Sequence, residues 1–129
     1  MSKSEEYQNQ KAVVQWFRLQ YPHRRINADV GGTWTRNIAT AMKNKASGHS
    51  NGYPDLFIPE PTSKYYGLFI EMKSAKGYPT PEQKFWISEL NKRNYKAVIC
   101  HSFNEAKNVI DNYFSIFKKI GNTLIHTKA

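Results

Sequence analysis

The chain has 129 residues, of which 40% are apolar and 14% aromatic, and a formal net charge of +9. That is the size of one domain with a real hydrophobic core, and the charge points to a polyanionic partner. A single cysteine, Cys100, excludes an internal disulfide framework and fits a reducing cytosol; no apolar run approaches the roughly 18 residues of a membrane helix, and the polar, acidic N-terminus does not read as a signal peptide, so a cytoplasmic location is expected.

Residues 4–20 are predicted as an amphipathic helix. Glu6, Gln10, Val13 and Phe17 fall on one stripe, which puts Glu6 at the N-terminal end of the buried face and leaves a catalytic role open to it. Glu5 falls on the adjoining stripe with Ala12 and Trp16. It is read as a partner of the helix dipole, or as half of a capping box with Ser2. Pro22 ends the helix. Arg25 to Val30 is read as a strand, Gly31-Gly32 as a turn, Asn37 to Lys43 as a short helix, and Lys45 to Asn51 as a polar loop. No acid occurs between Asp29 and Asp55. Arg36, Lys43 and Lys45 lie in that interval, Arg24 and Arg25 precede it and Lys76 follows it. These six are the candidate contacts to a nucleic-acid backbone.

Two short apolar runs follow, Gly52 to Ile58 and Gly67 to Lys73, each rich in Ile, Phe and Leu and each read as part of a buried strand, the second beginning at about Tyr65. Asp55 sits near the start of the first, and Glu71-Met72-Lys73 closes the second. Charges in such strands are expensive unless they are paired or bound to a metal. Two carboxylates and a lysine converging at strand ends are what metal-dependent phosphodiester hydrolysis needs. The pattern acid-x-lysine occurs three times, at Glu71-Met72-Lys73, Glu82-Gln83-Lys84 and Glu105-Ala106-Lys107. The last two lie in helical patterns, where residues i and i+2 do not face each other. The first lies in a strand pattern, where they share a face, with Tyr66, Leu68, Ile70 and Met72 opposite.

Thr80-Pro81-Glu82-Gln83 reads as a helix start, with Thr at the N-cap, Pro at the first position and Gln at the third. This helix is predicted to run to about Asn94 with Ile87 and Leu90 inward. Gln83 shares their stripe, so it is either a capping-box partner or a site residue. Lys96 to Cys100 is a strand. Ser102-x-x-Glu105 is another capping box, opening a helix whose core face is Ala106, Val109, Ile110, Tyr113, Phe114 and Phe117. The core of the domain spans about 4–117. The tail, 118–129, holds either a last short strand (Thr123 to His126) or no fixed structure. The order of elements suggests an αβα sandwich with a mixed central sheet.

Taken as a set, Gly52-Tyr53-Pro54-Asp55-Leu56, Ile70-Glu71-Met72-Lys73 and Thr80-Pro81-Glu82-Gln83 resemble the virus-type replication-repair nucleases (VRR-NUC), a branch of the PD-(D/E)xK nuclease superfamily. The strand Ala97 to Cys100, the helix start Ser102 to Ala106 and the N-terminal Glu6-x-Gln8-x-x-Lys11 also match, so the similarity covers most of residues 4–114. The resemblance implies a restriction-endonuclease-like α/β fold. It implies that Asp55, Glu71 and the Met72 carbonyl hold Mg²⁺ or Mn²⁺, that Lys73 is the catalytic lysine, that Glu6 is the helix-borne acid and that Gln83 is a supporting glutamine. Compact relatives imply a homodimer that cuts branched DNA such as a four-way junction. Family members often carry an Asn-Gly-Gly or Asn-Glu stretch near the first strand; here it is Ala28-Asp29-Val30-Gly31-Gly32.

The alternatives are flap nicking, sequence-specific restriction, and a catalytically silent or partner-dependent DNA-binding protein. A zinc protein is disfavoured, because His23, His49, His101 and His126 lack ligand spacing and Cys100 is alone in an apolar strand. Phe114, Ile116 and Phe117 are the candidate apolar patch for dimerisation.

Overall fold

The computed structural model of the chain describes residues 2–28, 46, 48 and 50–120. Helix α1 (Ser2–Gln20) is followed by strands β1 (Asn27–Ala28), β2 (Leu56–Ile58) and β3 (Leu68–Met72), helix α2 (Pro81–Lys92), strand β4 (Lys96–Cys100) and helix α3 (Phe103–Ile120). The sheet order is β1-β2-β3-β4. The first two pairings are antiparallel and β3–β4 is parallel, with α2 making the connection that a parallel pair requires. The mixed sheet predicted from the element order is therefore present. The turn at Gly31-Gly32, the helix at Asn37 to Lys43, the end of the first strand at Asp29 and Val30, and the tail strand at Thr123 to His126 lie outside the described residues.

The two faces of the sheet hold two separate cores. On one face, Leu56, Ile58, Leu68, Ile70, Met72 and Cys100 pack with Val13 and Phe17 of α1 and with Ala106, Ile110, Tyr113 and Phe114 of α3. Fully burying one such Leu, Ile, Phe or Met side chain contributes about 1.5–3 kcal/mol, so this layer carries most of the driving force. On the other face, Phe69 and Ala97 pack with Leu90 of α2, flanked by Tyr53, Phe57, Trp86, Ile87 and Tyr95. Helices thus cover both faces, as in an αβα sandwich.

Several boundaries differ from the sequence reading for local reasons. Helix α2 stops at Lys92 rather than near Asn94, because Asn94 takes a left-handed conformation (φ 69°) that terminates a helix. Tyr66 does not join Leu68, Ile70 and Met72 on the inner face. It precedes β3, is 62% exposed and lies against Tyr95, with ring centroids 5.8 Å apart. Phe114 is not free for a dimer patch: it is 8% exposed and enclosed by Phe17, Tyr21 and Tyr113, with the Arg24 guanidinium 4.2 Å over its ring. The second half of the Ser102 capping box is displaced. Ser102 Oγ accepts from Glu105 N (3.0 Å), but the Glu105 carboxylate accepts from His101 N (2.8 Å) rather than from Ser102 N. Among the described residues no helix is long and apolar enough to cross a membrane.

Candidate active site

Strand register brings the acids together. Leu56 pairs with Ile70 across the antiparallel β2–β3 ladder, and continuing that register by one residue sets Asp55 opposite Glu71. Directly opposed residues share a face. The next pair on that face, Phe57 and Phe69, stacks with centroids 4.2 Å apart. Lys73 follows Glu71 by two residues and stays on the same side, with its Nζ 4.0 Å from Glu71 Oε2. The strand end thus presents Asp55, Glu71 and Lys73 on the α2 face, while Met72 points into the opposite core and offers only its backbone to the site.

All three charged residues are buried, with 7%, 3% and 8% of Asp55, Glu71 and Lys73 exposed. Such burial costs several kcal/mol per ion unless it is compensated. Asp55 Oδ2 accepts from Met72 N at 2.9 Å. Glu71 Oε2 accepts from Gln83 Nε2 at 2.9 Å. Glu71 Oε1 is buried and has no hydrogen-bond partner. Desolvation raises both carboxyl pKa values above the ordinary carboxylate range. The charge of Asp55 raises Glu71 further, Glu6 raises both, and Lys73 opposes the shift. The two carboxyls oppose each other across the ladder, so each holds its proton to higher pH than an ordinary carboxyl.

That arrangement fits a hard divalent cation. An unsatisfied buried carboxylate oxygen beside a second carboxylate is a donor set of the right chemistry, and Mg²⁺ binds through one or two carboxylates while keeping several waters. Among the described residues no three His, Cys, Asp or Glu side chains converge closely enough to hold a metal by themselves. Glu6 is half-buried on α1, near enough to act on both acids by its charge but outside a three-carboxylate cluster. The Cys100 thiol is buried in the α1–α3 core, and burial pushes it up to about 12, far from a metal-ready thiolate.

Gln83 both closes a capping box and reaches Glu71. Its Oε1 accepts from Thr80 N at 2.8 Å while its backbone N donates to Thr80 Oγ1 at 3.1 Å, closing the capping box of α2. Its Nε2 is thereby aimed at Glu71. Gly52 sets how closely this helix start approaches. It has φ +85°, and a Cβ there would come within 2.5 Å of the Glu82 carbonyl carbon and 2.8 Å of Gln83 N.

Three contacts fasten the segment after β3, two of them from Glu5 and His101, which no local pattern marks for this place. Lys73 N donates to Cys100 O at 2.8 Å, the register of a parallel ladder continued past its end. The Ser74 carbonyl lies 3.0 Å from His101 Nδ1, which donates to it in the tautomer carrying the Nδ1 proton. Ala75 N donates to the carboxylate of Glu5 at 3.0 Å. Glu5 is therefore a tie between α1 and the Lys73 segment; its expected capping-box partner Ser2 has a side chain outside the described residues.

The predicted backbone contacts scatter. Arg36, Lys43 and Lys45 lie outside the described residues. Lys76 is exposed, three residues beyond Lys73. Arg24 and Arg25 lie beyond the far end of α1, where they line a cleft of about 280 Å³ with Arg18, Tyr21, Pro22 and Ile26. Arg24 is committed there: it pairs with Glu60 at 3.1 Å, with only 12% of its side chain exposed, and covers the Phe114 ring. Arg25 donates its backbone N–H to Glu60 and is exposed.

Comparison with known proteins converges on one description. The sequence model of the VRR-NUC domain matches residues 1–104. A solved structure described as a VRR_NUC domain protein is 32% identical, covering 85% of this chain and 88% of its own, with a TM-score of 0.71. A second, described as a VRR_NUC domain, is 21% identical over 84% of this chain and 97% of its own, with a TM-score of 0.58, and shares the fold. No curated protein matches the sequence.

Proposed function

The chain belongs to the VRR-NUC domain family, and we propose that it is a metal-dependent DNA endonuclease, selective for branched DNA such as a four-way junction and acting as a homodimer. The observation that carries this reading is the buried Asp55–Glu71–Lys73 cluster with its unpaired Glu71 Oε1. A fold does not bury two acids and a lysine on one sheet face for stability, since apolar residues of similar volume would serve better there.

Asp55, Glu71 and the Met72 carbonyl are the residues to hold Mg²⁺ or Mn²⁺. When bound, such a cation supplies a water of lowered pKa and offsets charge at the scissile phosphate. The chain's own residues supply the rest. Gln83 fixes the rotamer of Glu71 through Oε2, which leaves Oε1 facing the site. Lys73 offers an ammonium group beside the carboxylates, where it offsets negative charge on the non-bridging phosphate oxygens as the transition state forms. Its backbone is locked to Cys100, so the ammonium is placed before substrate arrives and little reorganisation is needed. Glu6 adds negative charge at the rim and so favours cation uptake.

The net charge of +9 supports DNA as the substrate through counterion release from the phosphate backbone. No base-reading motif accompanies it, which favours recognition of backbone and shape over sequence. A two-fold dimer would match the symmetry of a four-way junction, with one site addressing each of two strands.

The test is cleavage of end-labelled duplex, flap, single-stranded and four-way-junction DNA with Mg²⁺, Mn²⁺ or EDTA, beside a Lys73→Met control. Metal-dependent cutting that is abolished in Lys73→Met, with DNA binding largely spared, is the expected result. Absence of cutting on every substrate with binding intact would favour a silent DNA-binding protein, and near wild-type cutting by Lys73→Met would remove Lys73 from the mechanism.

A further inference from the structure

Of the large apolar side chains that the described residues expose, Tyr78 is the most exposed, at 86%. Its position in the fold is narrowly bounded. One residue before it, Gly77 donates its N–H to Ser74 O at 3.0 Å, and a Cβ on Gly77 would lie 3.6 Å from Lys73 Cδ. Two residues after it, Thr80 N donates to Gln83 Oε1, and the same amide reaches Glu71. Tyr78 is therefore strung between the two groups that flank the carboxylate pair, within about 8 Å of chain from either anchor.

The segment is held at both ends, yet the ring between them is left largely in solvent. Tyr66, also exposed, lies against Tyr95, whereas no aromatic or cationic partner is found for Tyr78 among the described residues. Two exposed cations lie close in sequence, Lys76 two residues before it and Lys84 on the first turns of α2. An exposed aromatic ring on a braced segment, with exposed cations a few residues away, suits the binding of unpaired nucleotides. The cations track the phosphates and the ring stacks on a base. A perfect duplex offers no base face to such a ring.

We propose that Tyr78 is a stacking residue that receives an unpaired base next to the scissile phosphate, with Lys76 holding the adjoining backbone, so that the site prefers DNA carrying unpaired nucleotides over fully paired duplex. This rests on the nuclease reading only for the direction in which DNA crosses the site. The stacking itself needs no cleavage.

The experiment measures binding, in EDTA, to a blunt duplex and to the same duplex with a single-stranded arm carrying 2-aminopurine at its first unpaired position. Wild type, Tyr78→Ala and Tyr78→Phe are compared, each checked for melting temperature and for oligomeric state by light scattering. The expected result is quenching of 2-aminopurine by wild type and Tyr78→Phe. Tyr78→Ala should lose the quenching and bind the armed duplex about tenfold more weakly, with blunt-duplex binding unchanged. Equal binding of both DNAs by wild type and Tyr78→Ala would overturn the proposal. So would a parallel loss on both DNAs, or a change of oligomeric state in Tyr78→Ala, the last assigning the ring to a protein interface. Cleavage of the same two DNAs with Mg²⁺ is scored separately. A protein that shows the binding pattern but never cuts fails as a nuclease while the stacking inference stands, and one that cuts without the pattern does the reverse.

Discussion

The Gln83 amide is divided between two tasks: its Oε1 caps helix α2 through Thr80 N at 2.8 Å and its Nε2 holds Glu71 Oε2 at 2.9 Å. A helix start and a buried carboxylate are thus fixed by one side chain, and neither bond can be lost alone by truncation. Gln83→Ala should cost about 1–2 kcal/mol of stability, from the lost cap and the abandoned carboxylate oxygen. It should also lower cleavage, because Glu71 is freed to rotate. Gln83→Glu should keep the cap while setting a negative charge against Glu71, so melting temperature and cleavage separate in this variant. A Gln83→Ala protein that cuts at the wild-type rate would confine Gln83 to capping.

Gly52 sets the distance between the Asp55 strand and that helix. Its φ of +85° disfavours any side chain, and the space for a Cβ is taken by the Glu82 and Gln83 backbone. Gly52→Ala is expected to destabilise the fold by more than about 2 kcal/mol, since neither the backbone conformation nor the close approach can be kept. The melting temperature of Gly52→Ala decides this, and a value equal to wild type would show that the approach is not tight.

The pH dependence of stability follows from the carboxylate pair. Desolvation raises both Asp55 and Glu71, so above the ordinary carboxylate range the folded state holds protons that the unfolded state has released. Their favourable contribution is therefore full below about pH 4 and is lost as pH rises through the raised values. Binding of Mg²⁺ should offset this loss, so the gain in melting temperature on adding Mg²⁺ should be larger near about pH 8 than near about pH 5, and EDTA should reverse it. Thermal unfolding of wild type and Glu71→Gln across this range gives the comparison. An identical Mg²⁺ response in the two proteins would show that the cation binds elsewhere.

Glu5 ties α1 to the segment carrying Lys73 through Ala75 N. Glu5 is exposed, so Glu5→Ala should leave the melting temperature close to wild type. Its effect should appear as a severalfold fall in kcat with KM little changed, because the tie positions Lys73 and does not touch substrate. Glu5→Gln retains an acceptor oxygen and should restore most of the rate. Equal kcat in Glu5→Ala and wild type would leave the contact without a role in catalysis.

Val13 and Phe17 on α1, Leu68, Ile70 and Met72 on β3, and Ala106, Ile110 and Tyr113 on α3 were marked by helical or alternating spacing and are buried as expected. The same alternation put Glu71 and Lys73 on one face, and the structure agrees, since a strand's two-residue period leaves no other choice. Tyr66 departs from the alternation because β3 begins only at Leu68, which leaves Tyr66 outside the strand and exposed. Phe114 is on the core face by its helical spacing and also a candidate for the apolar patch; it is buried, and Arg24, ninety residues earlier, closes over it.

Element order, the mixed sandwich and the candidate acids were legible in the chain alone, because period, caps and breakers act over a few residues at a time. Long-range packing sets the rest: Asp55 meets Glu71 across the ladder, Gln83 serves both cap and carboxylate, Glu5 and His101 brace the Lys73 segment, and Arg24 is occupied by Glu60 and Phe114. Apart from the local cap, those contacts join residues from 12 to 90 positions apart, and a chain fixes such distances only when its two cores close on the sheet and leave each side chain one place to go.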